Sequence, residues 1–193
     1  MELSGIHLGR RDPATLDRLL AAAGNAALNY DHEGSTLQHG AVPGVPDRSY
    51  SIEVPGDLAV ARETLRRWAP HAGIKARIVP TGAPMEPGTT LLVVAAFGPL
   101  EMAVPDRVVA VVDEPERFGF AYGTLTGHPE AGEEAFLAEQ IAPDQLRLTV
   151  RVQAGPATWL AKLGTPVVTV LQKTAARRYL AAWAAAITKE ASS

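Results

Sequence analysis

Apolar positions along the chain change period as it proceeds. Leu16, Leu19 and Leu20 follow Asp12-Pro13 at helical spacing and stop at Gly24, which predicts an N-capped helix. Residues 29–49 are interrupted by Gly34, Gly40, Pro43, Gly44 and Pro46 and predict turns. SYSIEV at 49–54 alternates as a short strand, ended by Pro55-Gly56-Asp57. Asp57 caps a second predicted helix, in which Leu58, Ala61, Leu65 and Trp68 share one face and Pro70 is the stop.

From residue 74 the period becomes two. IKARIVP (74–80), TTLLVVAAF (89–97), RVVAVVD (107–113), RFGFAYGTL (117–125), EAFLAEQI (134–141) and LRLTVRV (146–152) predict strands, most of them separated by turn residues. In the last of these, Leu146, Leu148, Val150 and Val152 face one way and Arg147, Thr149 and Arg151 the other. That is the alternation of an antiparallel sheet with one wet face. A long helix closes the chain, with Thr165 as N-cap, Pro166 at its start and Val167, Val170, Leu171, Leu180, Trp183 and Ile187 as its apolar side. Short links make consecutive strands neighbours, and the sheet offers the only large apolar surface for that helix. The expected class is α+β.

Composition narrows the function classes. A chain of 193 residues, 47% hydrophobic and 20% charged, is expected to fold as one domain, 1–193. Within it, 1–48 form an N-terminal helix and turn-rich segment and 49–190 the core. A net charge of −3 gives no global field for nucleic acid or anionic lipid. The absence of cysteine excludes disulfides, thiolate zinc sites and a cysteine nucleophile. MELSGIHLGRRDPATLDRLL has no signal-peptide pattern, and the apolar run LLVVAAF at 91–97 is too short to span a bilayer. A cytoplasmic protein is expected, with no membrane span and no nucleic-acid partner.

FGFAYGTLTGHPEAGEEAF at 118–136 is the densest stretch for chemistry. Its glycines at 119, 123, 127 and 132 match neither phosphate-binding pattern. Its H-x-E at 128–130 lacks the P-C-x-x-C partner of a zinc deaminase, and the histidines at 7, 32, 39, 71 and 128 include no pair at helical ligand spacing. No metal and no cofactor is expected. As a strand, 117–125 carries Phe118, Phe120 and Tyr122 on one face and Gly119, Ala121 and Gly123 on the other. The bare face leaves room for a helix, a bent strand or a ligand to approach the backbone, and it could leave space beneath the long helix. His128, Glu133 and Glu134 are then either turn polars or, with His71, an acid–base pair. Arg62 with Arg66 and Lys173 with Arg177 stand at i,i+4 and could form positive docking patches.

The same stretch resembles the signature of DUF1990 (UPF0548), a family of uncharacterised function. Tyr30, Gly34, Trp68, His71, Ala72, Gly73, Gln172 and Tyr179 agree with it as well. The resemblance implies no reaction. It implies a helix-grip fold, as in START lipid-transfer domains, polyketide cyclases and pollen-allergen-like proteins, in which a curved antiparallel sheet packs on a long C-terminal helix around a cavity. On that basis the expected function is binding of a small apolar or amphipathic ligand between sheet and helix. The expected ligand residues are Trp68, His71, Tyr122, Thr124, His128, Glu133 and Tyr179, with Trp159 and Trp183 as further wall candidates. An enzyme using His128 or His71 with Glu133 or Glu134, and a protein-interaction module, are the alternatives.

Overall fold

The computed structural model describes residues 5–38, 41–157 and 165–192, with the side chains of the C-terminal helix described from Gln172 onward. His39, Trp159 and the side chains of Thr165, Pro166, Val167, Val170 and Leu171 lie outside the described residues. The elements run β1 (Gly5–Leu8), α1 (Pro13–Gly24), β2 (Asp47–Pro55), α2 (Leu58–Arg66), a 3₁₀ turn (Ala69–Ile74), β3 (Ala76–Val79), β4 (Thr90–Phe97), β5 (Leu100–Asp113), β6 (Arg117–Thr124), β7 (Glu130–Ala142), β8 (Gln145–Pro156) and α3 (Thr165–Ala191). The expected α+β class holds. All strands pair antiparallel in one curved, open sheet of order β2-β8-β7-β6-β5-β4-β3, with β1 on the first residues of β5.

The sheet separates two cores. Its inner face carries Phe118, Phe120, Tyr122, Phe136, Leu148 and Val150, packed against Leu65 and Trp68 from the α2 side and Tyr179, Leu180, Trp183 and Ile187 from α3. Its outer face carries Leu92, Val94 and Ala103, covered by Leu16, Leu19 and Ala23 of α1. Strand β4 is therefore buried on both sides, which is why its sequence is a continuous apolar run rather than an alternation. Arg107 donates to the carbonyls of Gly24 (3.2 Å) and Ala26 (3.0 Å), placing a cation at the C-terminal end of α1.

Several predicted boundaries are corrected. The second helix ends at Arg66, not at Trp68. Trp68 adopts a left-handed backbone (φ 59°), its indole donates to the Ala83 carbonyl at 2.9 Å, and Pro70 lies within a 3₁₀ turn that starts at Ala69 rather than ending a helix. The tertiary bond of the indole outweighs the local helical pattern. Strand β3 is shorter than 74–80, because Ile74 and Lys75 finish that turn. Strands β5, β7 and β8 are longer than predicted, and β5 follows β4 through the two-residue turn Gly98-Pro99. The four-residue β1 was not expected at all. Arg11 holds it by donating to the carbonyls of Gly5 (2.8 Å) and Glu101 (3.0 Å).

Helix α3 packs on the 3₁₀ turn and on α2, and it also meets the sheet at β2 and β8. The approach is close at Gly73, where a Cβ would stand 2.1 Å from the Arg178 carbonyl oxygen. The turn thus acts as a spacer between helix and sheet, and it places His71 on the inner face.

Candidate functional site

Cross-strand register assigns the polar residues of β5, β6 and β7 to opposite faces. Glu133 pairs with Gly123 and Gln153, and all three belong to the outer face. There the carboxylate of Glu133 accepts from the Tyr30 hydroxyl (3.0 Å), the Gly34 amide (2.5 Å) and both the amide (3.1 Å) and hydroxyl (2.6 Å) of Thr36. One buried acid thus fastens the turn-rich segment 30–36 onto the sheet, with its lone pairs consumed by donors. Thr124 contributes a neighbouring bond set: its hydroxyl donates to Asn29 Oδ1 (2.5 Å) and accepts from the Gly132 amide (2.9 Å).

These contacts correct the reading of the bare strand face. Gly119, Ala121 and Gly123 turn away from α3, because Phe118, Phe120 and Tyr122 take the inner face. At Gly123 a Cβ would stand 1.9 Å from the Tyr30 hydroxyl, and at Gly119 it would stand 2.4 Å from the Phe136 carbonyl oxygen. The missing side chains make room for the N-terminal segment and the adjoining strand.

The inner face holds a different polar group. Asp106 lies opposite Leu91 and Thr124, and Glu134 opposite Tyr122 and Val152, so both acids point to the α3 side. Tyr122 donates to Glu134 Oε2, and its hydroxyl stands 3.4 Å from His71 Nε2. His71 is enclosed by aromatic rings, with Trp68, Phe136 and Tyr179 each at a centroid distance of 5.2 Å. Glu130 accepts from Gln172 of α3, and Gln172 accepts from Arg48 of β2 at 3.2 Å. The amide and the carbonyl of Glu130 both lie within hydrogen-bond distance of His128 Nδ1 (2.9 and 3.1 Å), and His128 Nε2 stands 3.9 Å from Asp106 Oδ1.

Two atoms of this group are buried without a hydrogen-bond partner among the described residues: Asp106 Oδ1 and His71 Nδ1. Asp106 and His71 are each only 1% exposed. Glu134 is different, because it keeps accessible surface although it lies on the covered face. Burial sets the protonation of the group. It pushes the Glu134 carboxyl up to about 7 and the Asp106 carboxyl well above the ordinary aspartate range, with the charges of Glu134 and Glu130 adding to the second effect. It also pushes His71 down to about 3 and His128 down to about 4, so both imidazoles are neutral at pH 7.

The structure therefore brings Trp68, His71, Tyr122 and Tyr179 into one inner-face cluster. His128 joins its edge through Asp106, while Glu133 is bonded into the outer face and Thr124 is spent on Asn29 and Gly132. Trp183 lies deeper in the core, with its indole donating to the Thr64 hydroxyl at 3.1 Å. Asp106, Glu130 and Gln172 were missed as site residues. The signal for Asp106 was parity: it shares a face with Val104 and Val108, and an acid in that register is buried among apolar neighbours. Away from this cluster, an open cleft of about 460 Å³ is lined by Val54, Pro55, Pro143 and Gln145 at the opposite end of β7 and contains none of the expected ligand residues. The arginines of α2 face acids: Arg62 and Arg66 contact Asp113 (2.9 and 3.3 Å) and Arg67 contacts Glu190 (2.8 Å).

Residues 48–182 match the family model described as "Domain of unknown function (DUF1990)". The chain belongs to this family. A UPF0548 protein of Deinococcus radiodurans is 37% identical over 98 residues, covering 47% of this chain and 50% of the relative. The Arabidopsis thaliana UPF0548 protein At2g17695 is 30% identical over 122 residues, covering 60% and 59%. The chain thus spans about half to three fifths of the length of these two curated relatives. Among solved structures it is similar to hypothetical protein jhp0584 of Helicobacter pylori (TM-score 0.58, 15% identity, 83% of this chain and 96% of that one). It is also similar to the Zhui aromatase/cyclase of Streptomyces sp. R1128 (TM-score 0.53, 12% identity, 76% and 96%) and to the human StarD13 lipid transfer and protein localization domain (TM-score 0.50, 13% identity, 72% and 77%). At these identities the likeness is one of fold, the helix-grip arrangement. Among the described residues no helix is long and apolar enough to cross a membrane.

Proposed function

We propose that this member of the DUF1990 family binds a small amphipathic molecule between the inner face of its sheet and helix α3. The ligand's polar end meets Asp106, Glu134, Tyr122 and His71, and its apolar part lies along the rings of Trp68, Phe136 and Tyr179. One observation carries this reading: among the described residues Asp106 Oδ1 is buried without a hydrogen-bond partner, at the end of the inner face where Tyr122 and Glu134 also lie. Leaving such an oxygen unsatisfied costs about 1–3 kcal/mol, and more when it is charged. A ligand that bonds to it recovers that cost. The helix-grip neighbours add support, since a lipid transfer domain and an aromatase/cyclase share this architecture.

The test is native mass spectrometry of protein purified gently from its own cells, compared with its denatured mass. A discrete adduct that leaves on denaturation is expected. A bare protein that also takes up no amphipathic probe would refute the reading.

A second reading is favoured by the bond sequence His71–Tyr122–Glu134. A carboxyl held near 7 and connected through a phenol to a neutral imidazole can pass a proton, so the same ligand could be a substrate for proton transfer. Exchange of carbon-bound hydrogen for deuterium in the bound molecule, lost in Glu134→Gln, would separate catalysis from binding alone.

A further inference from the structure

We infer that the ligand head recognised at the inner face is cationic: a protonated amine seated between Asp106 and Glu134, with the aromatic rings of the cluster around it. This deepens the binding reading and rests on it.

Three carboxylates, Asp106, Glu130 and Glu134, come to the same end of the inner face from β5 and β7. The neighbouring donors are already engaged. The Tyr122 hydroxyl donates to Glu134, Gln172 donates to Glu130, and Arg48 donates to Gln172. His128 Nε2 faces Asp106, but at 3.9 Å it is too far to bond. Among the described residues Asp106 Oδ1 and His71 Nδ1 remain without partners, and both residues are almost wholly buried. Burial, and for Asp106 the charges of Glu134 and Glu130 as well, favour the protonated carboxyls, so the three acids form a crowded group that a cation would relieve. An ammonium group supplies several N–H donors and the opposite charge at once. A carboxylate or phosphate head would add like charge to the same three acids. Among the described residues the acids do not converge at the spacing that holds a metal ion, so a larger organic cation matches them better. The rings of Tyr122, Tyr179 and Phe136 give the apolar, cation-attracting wall that such a head prefers.

The inference is tested by calorimetric titration of the full chain with dodecylamine, dodecan-1-ol and dodecanoate, each kept below its micelle concentration at neutral pH. Dodecylamine is expected to bind at least about tenfold more tightly than the alcohol, with dodecanoate weakest, since an extra charge-assisted bond has that worth. Asp106→Asn should abolish the amine's advantage over the alcohol, whatever it does to the affinity for the alcohol itself. If alcohol and amine bind alike, or if dodecanoate binds best, cation recognition is overturned while the amphipathic binding site survives. If none of the three binds, the site itself is refuted. The wild-type comparison decides the matter even if the variant does not fold, and Glu134→Gln, which keeps the bond to Tyr122, provides a second variant with the same expected loss.

Discussion

Two adjacent glutamates illustrate how one residue step decides a role. Glu133 and Glu134 point to opposite faces of β7, so the first is saturated by four donors on the outer face and the second meets Tyr122 on the inner one. Glu133→Gln exposes an amide N–H₂ to donors that need an acceptor. It should cost about 2–3 kcal/mol in urea unfolding and leave ligand uptake intact once folded. Gly123→Ala should also weaken the attachment of the N-terminal segment, because the added methyl takes the place of the Tyr30 hydroxyl. Faster amide exchange over 30–36 than in the native protein would report it. The sequence stretch 118–136 made these residues visible as a group, and its hairpin reading matches β6 and β7. Its division between two faces was legible only in part. The bulky and bare sides of 118–123 could be read by parity, but the partner of the bare side, Tyr30, is far away in sequence and no local pattern points to it.

At the level of elements, strands with clean alternation and helices with caps were legible, whereas contacts between distant segments were not. Asp12 and Asp57 cap α1 and α2 as the sequence indicates, accepting from the amides of Thr15 (2.9 Å) and Ala59 (2.6 Å). The end of α2 was misread, since the left-handed Trp68 depends on a bond to Ala83 in a later loop. The segment that follows is the element on which the proposed site depends most. Gly73 allows the α3 backbone to press on the 3₁₀ turn, so Gly73→Ala should cost about 1–3 kcal/mol by overpacking. Gly24→Ala is the matched control: nothing lies within 4 Å of its added carbon, and stability should stay constant or rise by up to about 1 kcal/mol. Thermal unfolding of the two variants side by side checks the contrast.

For the whole molecule, the buried titratable groups set a pH profile. Glu134 faces Tyr122 on β6 and Glu130 on its own strand, with Asp106 on β5, His128 in the hairpin turn, His71 in the 3₁₀ turn, Tyr179 on α3 and Arg48 on β2 around it. Its carboxyl holds a proton to about 7 when folded and releases it near 4.5 when unfolded, so this contribution is complete at low pH and lost as pH rises through 7. Asp106 acts with the same sign. His71 and His128 act oppositely, since the unfolded chain takes up protons near 6.5 that the folded one refuses until about 3 and about 4. Their contribution is complete above 6.5 and lost on acidification. The melting temperature should therefore fall between about pH 6.5 and about pH 8, and Glu134→Gln should flatten that alkaline arm while leaving the acid arm in place. Circular dichroism melts across that range make the comparison.

The central claim is that a ligand lies on the inner face under α3, and its location can be read directly. Intermolecular nuclear Overhauser contacts from the alkyl chain of bound dodecylamine should reach the ring protons of Tyr122, Phe136 and Tyr179. Contacts to Val54, Pro55 and Pro143 at the open cleft instead, or to the exposed side chains Ile6, Leu8 and Phe97 at the β1 end of the sheet, would contradict the account.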